Sequence, residues 1–173
     1  MKLHGQHISL RALEPSDIDL LYTWENDTSN WAVSHTQAPF SRFVLEQYIA
    51  SSHQDIYSAK QLRLMICDHS GRAVGSIDLF DFDANHRRAG LGILIAEKED
   101  RRRGYASEAL ELLVTYCFET LGLHQVYCNI LPENEASILL FRKHDFVITG
   151  IKKQWLRNGD SFQDELLLQK IRS

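Results

Sequence analysis

Leu91-Gly92-Ile93-Leu94-Ile95-Ala96, followed by Glu97-Lys98-Glu99-Asp100-Arg101-Arg102-Arg103-Gly104-Tyr105-Ala106, decides the fold of this chain. An apolar run ends in a charged turn, and an amphipathic stretch begins. Ala106, Ala109, Leu112, Leu113, Tyr116 and Cys117 recur at the three- and four-residue spacing of a helix with one buried face, while Glu108, Glu111 and Thr115 fall elsewhere. The reading is strand, turn, helix, with the helix over 104–121. Gly104 stands at the helix start, where the backbone N–H groups lack intrahelical partners and the helix dipole is positive. A glycine there lets a ligand approach the main chain closely. Arg101, Arg102 and Arg103 add positive charge in a chain of net charge -4, so the segment suits a phosphate-bearing ligand. A solvated arginine turn is the competing reading of the triplet alone.

On the C-terminal side, Leu123 to Ile130 reads as a strand, and Pro132-Glu133-Asn134 introduces a helix over 136–143. A helix between two strands is the crossover that parallel pairing requires, so the sheet is mixed. Segments 146–156 and 165–171 read as strands joined across Arg157-Asn158-Gly159-Asp160, whose Asn-Gly pair signals a hairpin. On the N-terminal side, 62–67 and 73–80 form a hairpin about Asp68 to Arg72, and Asp81 to His86 reads as a turn before a strand over 87–96. His7 to Leu13 is a first strand; Pro15-Ser16-Asp17 opens a helix, and Ser41 caps a second over 41–51. Trp24, Trp31 and Tyr48 read either as core or as part of an entrance. The expected class is α+β, with a mixed, largely antiparallel sheet of about seven strands flanked by about four helices.

A length of 173 residues and 44% apolar content fit a single domain over 1–173 with a substantial core. A pI near 6.0 leaves no broad basic surface, so nucleic acid is not expected as a partner. No apolar run reaches membrane-spanning length, and Met1-Lys2-Leu3-His4-Gly5-Gln6 lacks the apolar core of a signal peptide, so a cytoplasmic location and no membrane partner are expected. Cys67, Cys117 and Cys128 lie in apolar runs without Cys-x-x-Cys spacing and read as reduced core residues. Eight scattered histidines give no ligand spacing, and no metal is expected.

Arg101-Arg102-Arg103-Gly104-Tyr105-Ala106 resembles the Gln/Arg-x-x-Gly-x-Gly/Ala loop of the GNAT superfamily of N-acetyltransferases, with Arg101, Gly104 and Ala106 on its defined positions. Asn134 to Phe146 is similar to that superfamily's second acyl-CoA segment. Around His86-Arg87-Arg88-Ala89 and Asn158-Gly159 the layout resembles the branch of spermidine N-acetyltransferases and ribosomal-protein N-terminal acetyltransferases. The resemblance implies acetyl-CoA as cosubstrate, held by Leu94, Ile95, Arg101, Arg102, Arg103, Gly104, Tyr105, Ala106, Asn134, Ser137 and Phe141. It also implies oligomers in that branch and an acceptor that is a small amine, such as a polyamine, or a peptide N-terminus. A CoA-binding module without turnover is the alternative.

Two positions depart from the family pattern: Gly90 stands where a carboxylate is usual, and Phe141 where a tyrosine is usual. Asn134 also has a plain structural reading, as a helix cap. No Cys-His constellation supports an acetyl-enzyme, so direct attack by a neutral amine in a ternary complex is expected. For catalysis the resemblance implies a backbone N–H at Leu94 or Ile95 polarising the thioester oxygen. Glu97, at the strand end, is either a base acting through water or one half of a surface pair with Lys98.

Overall fold

The computed structural model describes residues 3–173; Met1 and Lys2, part of the N-terminal hexapeptide read above, lie outside the described residues. The strands are β1 Ile8–Ala12, β2 Leu62–Asp68, β3 Ala73–Asp83, β4 Arg88–Ile95, β5 Gln125–Ile130, β6 Val147–Asn158 and β7 Ser161–Ile171. The helices are α1 Ile18–Glu25, α2 Trp31–Ser34, α3 Arg42–Ala50, α4 Ile56–Ala59, α5 Tyr105–Thr115 and α6 Glu135–Lys143. One seven-stranded sheet runs in the order β1-β2-β3-β4-β5-β7-β6. Only β4 and β5 pair in parallel, as the crossover through α5 demands. The expected mixed sheet of seven strands is what forms.

The helices match the expected count of about four, with two short additions. Four helices have eight residues or more, and two single turns, α2 and α4, form where apolar spacing had shown only loop. A side-chain cap accounts for α4, where the Asp55 carboxylate accepts from the N–H groups of Tyr57 and Ser58; α2 has no such cap. Ser41 caps α3 as expected, its Oγ accepting from Val44 N at 3.2 Å. Pro15 opens a single 3-10 turn, Pro15–Asp17, before α1. The long crossover helix is α-helical only to Thr115 and continues as a π-helical turn over Tyr116–Thr120.

The buried stripe of α5 is also rotated from the expected one. Ala109, Leu110, Leu113, Val114 and Cys117 are buried, while Ala106 and Leu112 are only partly so. The helix is apolar on more than one side, and its contact with the sheet chooses the face. Two strand ends move as well. β3 continues to Asp83 through a bulge with Asp81 at φ 48°, and β7 begins at Ser161, so the hairpin turn shrinks to Gly159 and Asp160. Cys67, Cys117 and Cys128 are buried and unpaired. Trp24 belongs to the core shared by α1, α3 and β2. No helix among the described residues is long and apolar enough to cross a membrane.

Candidate active site

β4 and β5 are paired over three positions only, Arg88↔Gln125, Ala89↔Val126 and Gly90↔Tyr127, and then part company. From Leu91 onward β4 keeps its partner on one side alone, β3. A cleft of about 440 Å³ opens near this point. Its lining combines Leu91, Gly92 and Ile93 of β4 with Cys128 and Asn129 of β5, Asn134, Ser137 and Phe141 around α6, and Glu165 of β7; Glu25, His35, Arg63 and Asp78 close the other side.

Strand alternation decides which backbone groups face the gap. Ala96 N–H donates to Val74 O, so in this antiparallel register the even-numbered residues of β4 bond β3. The N–H groups of Leu91, Ile93 and Ile95 therefore point away from β3. Ile95 O, on that same open side, accepts from Arg101 Nε at 3.3 Å. This corrects one expectation: Leu94, opposite Ser76, spends its N–H on the sheet, and Ile95 keeps the donor that an oxyanion would need.

The arginine segment lies at the C-terminal end of β4 and leads into α5. Gly104 is the N-cap of α5 at φ 83°, a left-handed conformation, and a Cβ built there meets nothing within 4 Å. Open space beside first-turn N–H groups is the geometry an anion requires. Arg101 reaches Ile95 O and Ala96 O, and Arg103 Nε donates to Glu99 O at 2.9 Å, so backbone carbonyls fix part of the cationic segment. Tyr105 is partly buried against the core, and Ser107 in the next turn pairs with His144 Nε2 at 2.7 Å, joining α5 to the end of α6.

Beneath the loop sits a residue that the sequence did not single out. Asp100 is 3% exposed and takes a two-point grip from Arg72, with contacts of 2.9 and 2.7 Å. The Arg72 guanidinium holds the Asp100 carboxyl below the usual carboxylate range. A carboxyl whose pKa is lower folded than unfolded stabilises above its unfolded value, and that contribution is lost as pH falls through the folded value. Asp100→Asn is therefore expected to lower Tm at pH 7, with the gap to the parent narrowing below about pH 4. Melting curves from pH 7 to 3 check this; a gap independent of pH would contradict it.

Asn134 caps α6, its Oδ1 accepting from Ser137 N at 3.2 Å, and both residues also line the cleft. Phe141 is 3% exposed and stands edge-on to Phe146 with ring centroids 5.0 Å apart, its remaining surface facing the cleft. Leu139, two positions earlier, points to solvent at 67% exposure. Glu97 is exposed, forms no ion pair with Lys98 among the described residues, and, like Ile95 and the segment Arg101 to Ala106, does not line the cleft, so the geometry brings neither its pairing nor a catalytic contact. Gly90 is buried, and a Cβ there would lie 2.2 Å from Phe80 Cε2. The Phe80 ring occupies the space above it, which accounts for the missing side chain.

A family model for an acetyltransferase (GNAT) domain matches residues 7–147. The chain belongs to the GNAT acetyltransferase family. Curated relatives fall in the branch its layout resembles. Spermidine N(1)-acetyltransferase of Vibrio cholerae is 26% identical over 164 residues, covering 92% of this chain and 90% of that protein. The enzyme of the same name from Escherichia coli K12 is 29% identical over 154 residues, covering 88% and 80%. Among solved structures, spermidine N-acetyltransferase from Vibrio cholerae in complex with CoA and spermine superposes with a TM-score of 0.86 at 22% identity, covering 95% of each chain. That likeness extends the GNAT fold over nearly all of this acetyltransferase.

Two charged clusters in the GNAT cleft escaped sequence reading. Arg63 binds Asp78 through two contacts of 2.7 Å, also reaches Glu25, and lies 5.6 Å from the Tyr48 ring centroid. Burial opposes the charge of Arg63, but the pull of Asp78 overcomes it and raises its pKa. Glu165 is 4% exposed; Lys152 Nζ lies 2.5 Å from its Oε1, and His35 Nε2 lies 3.5 Å from its Oε2. Cys128 is buried, and desolvation pushes its thiol up to about 12.

Proposed function

We propose that this protein transfers the acetyl group of acetyl-CoA to a primary amine, by direct attack in a ternary complex, with a small polyamine such as spermidine as the leading acceptor. The observation that carries the reading is the parting of β4 and β5 with the glycine-started helix α5 at one end and three carboxylates at the other. A phosphate-rich ligand meets the α5 N-terminus and the segment Arg101 to Ala106, while its acyl end reaches along β4. Ile95 N–H is the donor assigned to the thioester oxygen, and Asn134, Ser137 and Phe141 line the far wall. The amine enters from the side of Glu25, Asp78 and Glu165, three carboxylates that outnumber their two cations, Arg63 and Lys152, and so leave a negative balance for a cation. The curated relatives named for spermidine support that choice. Self-association belongs to the same reading, supported by exposed Val147, Ile151 and Trp155 on the edge strand β6.

Chemistry limits the route. The one cysteine lining the cleft, Cys128, is held protonated at neutral pH, which favours direct attack over an acetyl-enzyme. An alkylamine is neutral in only on the order of one molecule in a thousand at pH 7, so the site must take a proton and align the lone pair. The experiment is a coupled thiol-release assay over spermidine, spermine, simple monoamines and peptides with free N-termini. Acetylated polyamine supports the reading. Transfer to peptides alone would move the acceptor, and tight CoA binding without any transfer would make the chain a binding module.

Phe141 gives a second test. Phenylalanine donates no proton, so CoA leaves as a thiolate or is protonated by water, which a thiol of pKa near 8.5 tolerates. Phe141→Tyr is expected to raise turnover about threefold to tenfold by supplying that proton. Turnover is measured per molecule of bound acetyl-CoA between about pH 6 and 9. No increase at any pH would show that Phe141 serves only to pack against Phe146.

A further inference from the structure

The proton that must leave the amine needs a destination, and the cleft narrows the choice. Phe80 fills the space above Gly90, so β4 offers no carboxylate there. Glu25 and Asp78 are committed to Arg63, and protonating either would leave that buried guanidinium short of a partner. Glu97 lies outside the cleft. Glu165 and His35 remain. Glu165 is buried with Oε1 on Lys152, which also donates to Asn129 Oδ1 at 2.9 Å, so the carboxylate is fixed in place. His35 ends α2 in a left-handed conformation at φ 58°, half-exposed, with Nε2 toward Glu165 Oε2.

We infer that His35 accepts the proton of the acceptor ammonium and that Glu165 positions and charge-matches its ring. The inference rests on the acetyltransferase reading above. With Nε2–H directed at Glu165, the neutral ring carries its lone pair on Nδ1. One ammonium N–H bond breaks and its proton passes to Nδ1, leaving a neutral amine. The amine lone pair forms the C–N bond, the C–S bond breaks with its electron pair on sulfur, and the second proton lost from nitrogen ends on the CoA thiol. The imidazolium is stabilised by the Glu165 charge and returns its proton to solvent through the exposed part of the ring. At 3.5 Å the His35–Glu165 contact is looser than a hydrogen bond and shortens as the ring becomes charged. The charged groups facing this site are Glu165 on β7, Lys152 on β6, Glu25 on α1, Arg63 on β2 and Asp78 on β3.

The test compares the parent with His35→Gln and Glu165→Gln, the most active amine being taken from the panel. His35→Gln is expected to lower kcat/KM for the amine about a hundredfold at pH 7. Acetyl-CoA affinity by calorimetry stays unchanged. The parent's kcat/KM should show an acid limb from one group titrating between about pH 5 and 8; in His35→Gln that limb vanishes and the rate climbs toward the amine's own pKa. Glu165→Gln should lower kcat/KM for the amine about tenfold in the parent and change it little further in the His35→Gln background, because the two residues act as a unit. Retention of the limb in His35→Gln with activity within about threefold would overturn the assignment, since a general base is worth far more. A loss from Glu165→Gln that is as large in the His35→Gln background as in the parent would overturn the role of Glu165. Absence of transfer by the parent itself would overturn the acetyltransferase reading and this inference with it, a result distinct from a competent parent and an equally competent His35→Gln.

Discussion

Gly104→Val is expected to weaken acetyl-CoA binding by tenfold or more, equivalent to about 1.4 kcal/mol. Two effects add. A β-branched residue is a poor occupant of φ 83°, so the N-cap of α5 either strains or rotates its first N–H groups away from the ligand. The new side chain also enters space that is empty in the free protein, since a Cβ at this position meets no atom within 4 Å. Gly104→Asn separates them: asparagine tolerates the left-handed region yet still fills that space. Near-normal Tm with weak binding in Gly104→Asn assigns the loss to occupancy; near-normal binding there and poor binding in Gly104→Val assigns it to the backbone. Calorimetry on folded Gly104→Val showing parental affinity would sink the site.

Arg63→Met is the largest stability change expected, about 3 kcal/mol by analogy with breaking a buried ion pair from one side. The guanidinium joins Glu25 of α1 to Asp78 of β3 and lies over Tyr48 of α3, so its loss leaves two sheltered carboxylates without their shared cation. Methionine restores the packing volume but not the charge. Urea unfolding should show a lower midpoint at an unchanged slope, and adding Asp78→Asn should recover part of the loss, because the two changes are coupled. Full additivity in the double mutant would mean that the pair is not a unit.

What the sequence disclosed was whatever local backbone chemistry dictates. Gly104 at a helix start, Ser41 and Asn134 as caps, the crossover that makes β4 and β5 parallel, and the Asn-Gly hairpin all act within a few residues of themselves. What stayed hidden depends on register and on long-range pairing. Leu94 and Ile95 are equivalent in sequence, and only the hydrogen-bonded phase against β3 tells which N–H faces the gap. Arg72 with Asp100, Arg63 with Glu25, and His35 with Glu165 come from separate strands, helices and loops, and no spacing rule joins them. Gly90 looked like a gap in the catalytic pattern; the structure shows a seat for Phe80.

With three paired positions holding β4 to β5, the sheet is two leaves, β1 to β4 and β5 to β7, joined along one short seam. Most pairings inside each leaf link segments close in sequence, and the β6–β7 hairpin closes through two residues. The seam holds by three rungs, where each other pairing of the sheet has five or more, so the least hydrogen bonding repays its closure. Assembly of the leaves should therefore precede assembly of the cleft, and on gentle denaturation the order should reverse. Ligand-binding capacity would be lost at a denaturant concentration where circular dichroism still reports most of both leaves; coincident loss of the two signals would mean that the seam is as cooperative as the rest.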